Sequence, residues 1–239
     1  MDILQEIIAH KKLEVAQLRR DVLIENLVKS PNFKRTPMSL KKALTDVNST
    51  GIIAEFKRQS PSKGIINDKV SVVEVTQGYL DANVAAQSIL TDSKFFGGNI
   101  NDVMKARSVN EIKPILRKDF IVDAFQIVES KAIGADVILL IAACLTKQEL
   151  KNFGMLAEDL GLDVLYEVHN QEELDKIDLD NKIIGINNRN LKTFKVDLEH
   201  SIALARQIPS SCIKVSESGL SDPRIIMGLK EYGFQGFLI

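Results

Sequence analysis

Eight short apolar, β-rich segments alternate with amphipathic helical patterns from residue 51 onward, and this alternation constrains the fold most. The segments end on average about 26 residues apart, which leaves room for one helix between consecutive strands. The predicted strands are Gly51–Phe56, Ala86–Thr91, Pro114–Lys118, Asp136–Ala142, Asp163–Val168, Lys182–Asn187, Cys212–Glu217 and Gln235–Ile239. Strands that alternate with helices in this way form parallel sheets with helices packed on their faces.

The segments between the strands carry helix signals. The predicted helices include Val72–Leu80, Ala124–Ile133, Lys147–Leu160 and Leu198–Gln207. Gly134 and Gly161 each follow a helix, as glycines that end helices do, and Ser221-Asp222-Pro223 is typical of a helix start. Eight strands with helical spacers favour a closed (β/α)8 TIM barrel of the α/β class. An open doubly wound sheet is the alternative, but no GxGxxG motif follows the first strand.

Residues 1–50 precede the barrel, so we expect a single domain over residues 1–239 with an N-terminal helical extension. A helical stripe predicts that this extension lies as a helix across one mouth of the barrel, rather than forming a mobile basic arm. The stripe consists of Ile3, Ile7, Ile8, Lys11 and Val15. At its other end the sequence stops within an apolar strand, so the helix expected after strand 8 is missing, and we expect the sequence to be truncated.

Composition argues against several classes of function. The chain has 239 residues, 45% hydrophobic, with a net charge of −1, so its charge does not favour a nucleic-acid partner. No apolar run approaches the ~20 residues of a membrane span, and the first residues lack a signal-peptide pattern. Cys144 and Cys212 have no CxxC spacing, which predicts buried thiols rather than a disulfide or metal site. We therefore expect a cytoplasmic protein without a membrane partner.

Ionisable side chains follow the strands at their C-terminal ends, where barrel enzymes place their active sites. Glu55 and Lys57 end strand 1 and point to the same face, because side chains two apart on a strand do so. The other polar strand ends are Lys118, Glu167, Asn187, Arg189 and Glu217. Each alone could be a solvated strand end. Their joint placement at one mouth predicts an active site, since charges beside buried strands are costly unless they pair or react.

The same residues indicate the type of substrate. Lys57, Lys118 and Arg189 concentrate positive charge, which favours a substrate carrying phosphate and a carboxylate. Small residues in the adjoining loops let backbone N–H groups approach an anion. They are Ser60, Ser62, Gly64 and Gly219. Carboxylates beside lysines can take separate acid and base roles.

Other side chains are less specific. Phe95, Phe96 and Phe120 can wall an aromatic slot, or can equally pack beneath the loops. The histidines, His10, His169 and His200, lack metal-ligand spacing, so we expect no metal and assign them no role. Ser216 and Ser218 have no histidine partner or nucleophile elbow, which argues against a hydrolase triad.

Six motifs in order resemble the indole-3-glycerol phosphate synthase family, from about residue 3 to the last residue. They are Ile53-Ala54-Glu55-Phe56-Lys57-Arg58-x-Ser60-Pro61-Ser62-x-Gly64, Leu90-Thr91-Asp92-x-x-Phe95-Phe96-Gly97-Gly98, Leu116-Arg117-Lys118-Asp119-Phe120-Ile121, Glu167-Val168-His169, Ile184-Gly185-Ile186-Asn187-Asn188-Arg189-Asn190-Leu191 and Glu217-Ser218-Gly219. Ile3-Leu4-x-x-Ile7-x-x-x-Lys11 also resembles the extra N-terminal helix of that family. The family continues past strand 8 with a glycine-containing loop and a last helix, which this sequence does not include.

The resemblance implies a carboxy-lyase of tryptophan biosynthesis that needs no cofactor. It converts 1-(2-carboxyphenylamino)-1-deoxyribulose 5-phosphate to indole-3-glycerol phosphate, with loss of CO2 and water. Lys118 matches the general acid that activates the ketone, and Glu55, Lys57 and Glu167 match residues that serve or support the later steps. Further implied roles are substrate orientation by Asn187, bracing of the cations by Glu217, phosphate binding by Ser60, Arg189, Ser218 and Gly219, and an aromatic slot of Phe96, Phe120, Leu139 and Leu191.

Three alternatives remain at the level of sequence. One is a barrel like phosphoribosylanthranilate isomerase, which would not need the paired lysines of strands 1 and 3. The second is an aldolase with Lys118 as a Schiff base, and the third is a phosphosugar-binding barrel without activity. The expected partner is a small phosphosugar, and the expected assembly is a monomer or weak homo-oligomer.

Overall fold

The structure, a computed structural model, describes residues 3–190 and 195–239 and contains a closed barrel of eight parallel strands. The strands are β1 Ile52–Phe56, β2 Ala86–Leu90, β3 Ile115–Lys118, β4 Val137–Ile141, β5 Asp163–Val168, β6 Ile183–Asn187, β7 Ile213–Glu217 and β8 Phe234–Leu238. Their order around the barrel is β1-β8-β7-β6-β5-β4-β3-β2, and β2 pairs with β1. Each strand lies within one residue of its predicted bounds. The (β/α)8 barrel is therefore confirmed and the open sheet is wrong.

Helices connect the strands in chain order. They are α1 Ile3–Asp21, α2 Ile24–Leu27, α3 Leu40–Thr45, α4 Val72–Asp81, α5 Ser93–Phe96, α6 Ile100–Val109, α7 Ala124–Ile133, α8 Lys147–Asp159, α9 Gln171–Leu174, α10 Leu198–Ala205 and α11 Pro223–Glu231. A 3₁₀ helix covers Pro31–Lys34, and Gln59–Ser60 pairs with Gly64–Ile65 as a small hairpin. Asp222 caps α11 ahead of Pro223, as the sequence predicts. None of the helices in the described part of the chain has the length and apolar character needed to cross a membrane.

The barrel strands carry apolar side chains on both faces, because successive side chains along a strand point to opposite faces. These side chains form two apolar layers, one inside the barrel and one beneath the helices. In β4, Val137, Leu139 and Ile141 belong to the cluster that fills the barrel interior. Ile138 and Leu140, between them, belong to the cluster that packs against the surrounding helices. The β4 run is buried throughout because both faces of a parallel barrel are covered. Of the two cysteines, Cys212 is buried as predicted, whereas Cys144 is only half-buried.

The segment before β1 covers both ends of the barrel. Leu40 and Leu44 of α3 are buried in the interior cluster, where Leu44 lies beside Gly236 of β8. At the opposite, C-terminal end, Lys11 of α1 forms ion pairs with Asp92 at 2.9 Å and Asp119 at 3.0 Å. The predicted helix across one mouth is α1, and it lies at the end where the polar strand termini meet.

Candidate active site

A cavity of about 440 Å³ opens at the C-terminal mouth of the barrel. The predicted site residues that line it are Glu55, Lys57, Ser60, Phe96, Lys118, Phe120, Leu139, Glu167, Asn187, Arg189, Ser218 and Gly219. Glu217 lies directly behind this lining, in contact with Lys118. Leu191 lies outside the described residues. The predicted strand-end side chains therefore lie together, as expected for parallel strands whose carboxyl ends meet at one edge.

Lys118, the last residue of β3, is enclosed by three carboxylates. Its Nζ lies 3.1 Å from Glu217 Oε2, 3.6 Å from Glu167 Oε2 and 4.0 Å from Glu55 Oε2. These glutamates come from β7, β5 and β1, so only closure of the barrel brings them together. Burial alone would lower the pKa of Lys118, but the charges of Glu217, Glu167 and Glu55 outweigh it and raise that pKa. Lys118 is therefore an ammonium ion at neutral pH.

The carboxylates around Lys118 differ in proton affinity. Burial raises the pKa of Glu217 to about 7, with Lys118 opposing and the charge of Glu167 adding to the rise. Burial also acts to raise the pKa of Glu167, but the charges of Lys118 and His169 and a hydrogen bond from Asn187 lower it overall. Neighbouring carboxylates whose pKa values are separated in this way can serve as acid and base at one pH.

Glu55 and Lys57 form a pair on one face of the end of β1, as the two-residue spacing predicts. Lys57 Nζ lies 2.5 Å from Glu55 Oε1, and Ser88 Oγ donates to Glu55 Oε2 at 3.4 Å. The Glu55 side chain is 6% exposed, whereas that of Lys57 is 35% exposed. The buried Glu55 carboxylate therefore holds the ammonium group of Lys57 at the cavity wall. Arg58 points elsewhere and pairs with Asp102.

Asn187 connects two parts of the site at the end of β6. Its Nδ2 donates to Glu167 Oε1 at 3.1 Å, and its Oδ1 accepts a hydrogen bond from the backbone N–H of Arg189 at 3.0 Å. Two residues earlier, Gly185 leaves space for Glu217, because a Cβ there would overlap Glu217 Oε1. The position of Glu217 beside Lys118 thus depends on a glycine in the neighbouring strand.

The two small-residue loops both line the cavity. Ser218 and Gly219 are consecutive residues in the left-handed region, with φ of 71° and 74°. Such a conformation is uncommon for a serine, and the Ser218 carbonyl accepts a hydrogen bond from Asn188 Nδ2 at 2.8 Å. Across the cavity, Ser60 Oγ accepts a hydrogen bond from the Lys63 N–H at 3.2 Å. Both loops present small polar residues to the space between them.

Aromatic and aliphatic side chains form the other wall. The rings of Phe96 and Phe120 lie 5.9 Å apart at 38°, and both line the cavity. Phe95 instead packs edge-on against His10 of α1, with ring centroids 5.8 Å apart. For Phe95, therefore, packing beneath the loops is the correct alternative. Further lining residues were not predicted, and they include Ile3, Leu4, Ile7, Leu90, Ile141 and Leu238. The helical stripe of α1 was the available signal for the first and third of these.

Two charged contacts next to the site were also missed. Lys11 is 1% exposed and holds Asp92 and Asp119, which sit in the loops that carry Phe96 and Phe120. His169, for which no role was predicted, lies 3.4 Å from Glu167 Oε1 through its Nε2 atom. Within the described ranges no cluster of three or more His, Cys, Asp or Glu side chains could hold a metal ion.

The fold and this cluster define the chain as a (β/α)8-barrel protein with acidic and basic side chains gathered at its C-terminal mouth. A family model described as Indole-3-glycerol phosphate synthase matches residues 4–239. The indole-3-glycerol phosphate synthase of Bacteroides thetaiotaomicron is 48% identical over 238 residues, covering 100% of this chain and 91% of the relative. That of Acetivibrio thermocellus is 41% identical, covering 99% and 92%. The chain belongs to the indole-3-glycerol phosphate synthase family.

Solved structures with low sequence identity support the fold alone. Tryptophan synthase subunit alpha from Legionella pneumophila has a TM-score of 0.59 at 13% identity, covering 84% of this chain and 85% of that one. N-acetylmannosamine-6-phosphate 2-epimerase from Clostridium perfringens has a TM-score of 0.58 at 13% identity, covering 79% and 85%.

Family membership confirms the predicted activity. The chain is a carboxy-lyase of tryptophan biosynthesis that forms indole-3-glycerol phosphate from its anilino-deoxyribulose phosphate precursor. The isomerase, aldolase and binding-barrel alternatives receive no support from these relatives.

Proposed function

We propose that Lys118 is the general acid of ring closure. The observation that carries this proposal is its position: Nζ lies within 4.0 Å of three carboxylates at the base of the cavity. In this step the aromatic carbon that bears the carboxylate attacks the ketone carbon of the sugar chain. The ketone oxygen takes the Lys118 proton and becomes a hydroxyl. Glu217, whose pKa lies near 7, is suited to return a proton to Lys118.

The later steps use the remaining charged groups. Loss of CO2 leaves its electron pair in the ring and restores the aromaticity of the benzene ring. Lys57, aligned by Glu55, then protonates the departing hydroxyl, which leaves as water. Glu167 removes a proton from the adjacent CH2, and the C–H electrons form the new ring double bond. The lowered pKa of Glu167 supports this role, because a base must be ionised before it accepts the proton.

The cavity also orients the substrate, because its phosphate and its anilino ring contact different parts of the cavity wall. The phosphate is held by Ser60, Arg189 and the Ser218-Gly219 backbone, and the anilino ring lies against Phe96, Phe120 and Leu139. Asn187 positions a sugar hydroxyl beside Glu167. No nucleic acid, membrane or cofactor takes part in this scheme, and a cytoplasmic monomer or weak homo-oligomer fits it.

The roles are tested by substituting Lys118. Lys118→Met lowers kcat by about 10²–10⁴-fold, because no proton reaches the ketone oxygen, and product affinity changes little. Lys118→Arg keeps the positive charge among the three carboxylates but donates poorly, and gives a similar loss in a folded protein. The matched control is Lys214→Met, since Lys214 lies on β7 but donates outside the cavity to the Ala205 carbonyl at 2.7 Å.

Product formation is followed by indole fluorescence, against a low background because the chain contains no tryptophan. Product affinity is measured by calorimetry with indole-3-glycerol phosphate. If both Lys118 variants lost product binding and turnover in equal measure, Lys118 would be a binding group and the acid role would be wrong.

A further inference from the structure

The two oxygens of Glu167 face different neighbours. Oε2 faces Lys118, and Oε1 accepts a hydrogen bond from Asn187 and lies 3.4 Å from His169 Nε2. His169 directly follows β5 and its side chain is 11% exposed. It does not line the substrate cavity but opens on a second cavity outside it. The His169 imidazole thus contacts the Glu167 carboxylate from the side away from the substrate cavity.

Glu173 of α9 fixes this imidazole from its other edge. Its Oε2 atom lies 3.0 Å from His169 Nδ1 and also accepts a hydrogen bond from the His169 backbone N–H at 2.8 Å. Its Oε1 atom accepts a hydrogen bond from Asn170 Nδ2 at 2.8 Å. Both ring nitrogens of His169 therefore face carboxylates. This surrounding stabilises the imidazolium form, in which both nitrogens are donors.

Other charges around His169 do not reverse its preference for the imidazolium form. The outer cavity is also lined by Lys12, Arg189, Lys195, Asp197 and His200, and His200 Nε2 bonds to the His169 carbonyl at 2.8 Å. Burial alone would lower the pKa of His169. The hydrogen bond to Glu173 and the charges of Glu167, Glu173 and Glu217 outweigh burial and raise that pKa. Reciprocally, the His169 charge is one cause, after Lys118, of the lowered pKa of Glu167.

We propose that His169, held by Glu173, is a positioning residue that keeps Glu167 ionised and oriented between Lys118 and Asn187. The inference rests on the proposed role of Glu167 as base. Glu167 is buried, and a buried carboxylate needs compensating charge to stay ionised. Lys118 supplies part of that charge, but it is neutral between giving up its proton in ring closure and regaining one from Glu217, whereas His169 stays outside the chemistry. The pair His169–Glu173 thus maintains a base that is ready for the last step.

The test compares pH profiles of kcat for two substitutions of the imidazole. In His169→Asn the amide lies near the former Nδ1 and leaves Glu167 without a charged neighbour on Oε1. The acid limb of its kcat profile moves up by about 1 pH unit, KM changes little, and the rate recovers at high pH. His169→Gln places an amide near the former Nε2 and shows a smaller shift. Glu173→Gln shifts the limb in the same direction, whereas the exposed neighbour Glu172→Gln does not.

A second readout reports the charge directly. In the wild-type protein, NMR titration of the His169 ring gives a midpoint above the ordinary histidine value of ~6.5, and Glu173→Gln or Glu167→Gln lowers it. Unshifted kcat profiles in both His169 variants, with Glu167→Gln strongly impaired, would overturn the positioning role alone. Full activity of Glu167→Gln would overturn the base role of Glu167, and this inference with it.

Discussion

Substitution of Lys11 tests how firmly α1 is held on the barrel mouth. Lys11 is 1% exposed and forms ion pairs with Asp92 at 2.9 Å and Asp119 at 3.0 Å, whose side chains are 0% and 2% exposed. Asp119 keeps Arg117 at 3.1 Å and Thr91 at 2.6 Å if Lys11 is removed. Within residues 3–190 and 195–239, Asp92 keeps only its bond to the Phe95 N–H at 2.8 Å through Oδ1. Lys11→Met therefore leaves one buried carboxylate without a cation.

Breaking a buried ion pair from one side typically costs about 3–5 kcal/mol, because the remaining charge stays buried. For a chain of this size, that corresponds to a decrease in Tm of roughly 6–20 °C. The charges of Asp119, Asp92 and Glu14 outweigh burial and raise the pKa of Lys11. A raised lysine pKa means that this stabilisation is fully present below the unfolded value of ~10.4 and is lost only at higher pH.

Urea and thermal unfolding followed by circular dichroism measure the free energy of unfolding. Lys12→Met is the matched control, because Lys12 is the exposed neighbour on the same helix. Adding Asp92→Asn to Lys11→Met should recover part of the loss, since it removes the unpaired charge while keeping the helix cap. A Lys11→Met protein as stable as the Lys12→Met control would show that these ion pairs do not hold α1 on the barrel mouth.

Two further predictions follow from the contacts of Glu217. In Gly185→Ala the new Cβ would overlap the Glu217 carboxylate and displace it, which should lower kcat by about 10²-fold. The control is Gly228→Ala, which adds a Cβ in open space on α11 and leaves kcat unchanged. Equal kcat values in the two variants would show that Glu217 has room to move. Burial raises the pKa of Glu217 from 4.5 to about 7, so the native state binds the extra proton between these values, and this group makes the protein less stable as pH rises through that window. Urea midpoints of the wild-type protein and Glu217→Gln should therefore diverge between about pH 4.5 and 7, with the variant losing less stability on the way up; parallel curves would contradict the raised pKa.

The barrel, and the set of strand-end side chains that meet at its mouth, could both be predicted from the sequence alone. Strand bounds could be predicted to within one residue, because strands buried on both faces give continuous apolar runs between turn residues. Parallel strands place their C-terminal ends at one mouth, so Glu55, Lys118 and Glu167 could be grouped without coordinates. That residues 1–239 form one domain stays a prediction.

The partners of the polar residues, in contrast, depend on how the elements pack in three dimensions. The stripe of α1 predicted that Lys11 faces the barrel, but periodicity does not reveal which charges a buried lysine meets. Phe95 and Phe96 are adjacent in the chain, yet only Phe96 lines the cavity, because α5 turns its neighbour toward His10. Lys118 and Glu217 are 99 residues apart, and their 3.1 Å contact exists only because the barrel closes and Gly185 leaves space. Local pattern sets which face a side chain takes, whereas electrostatic partners depend on distances between elements remote in the chain.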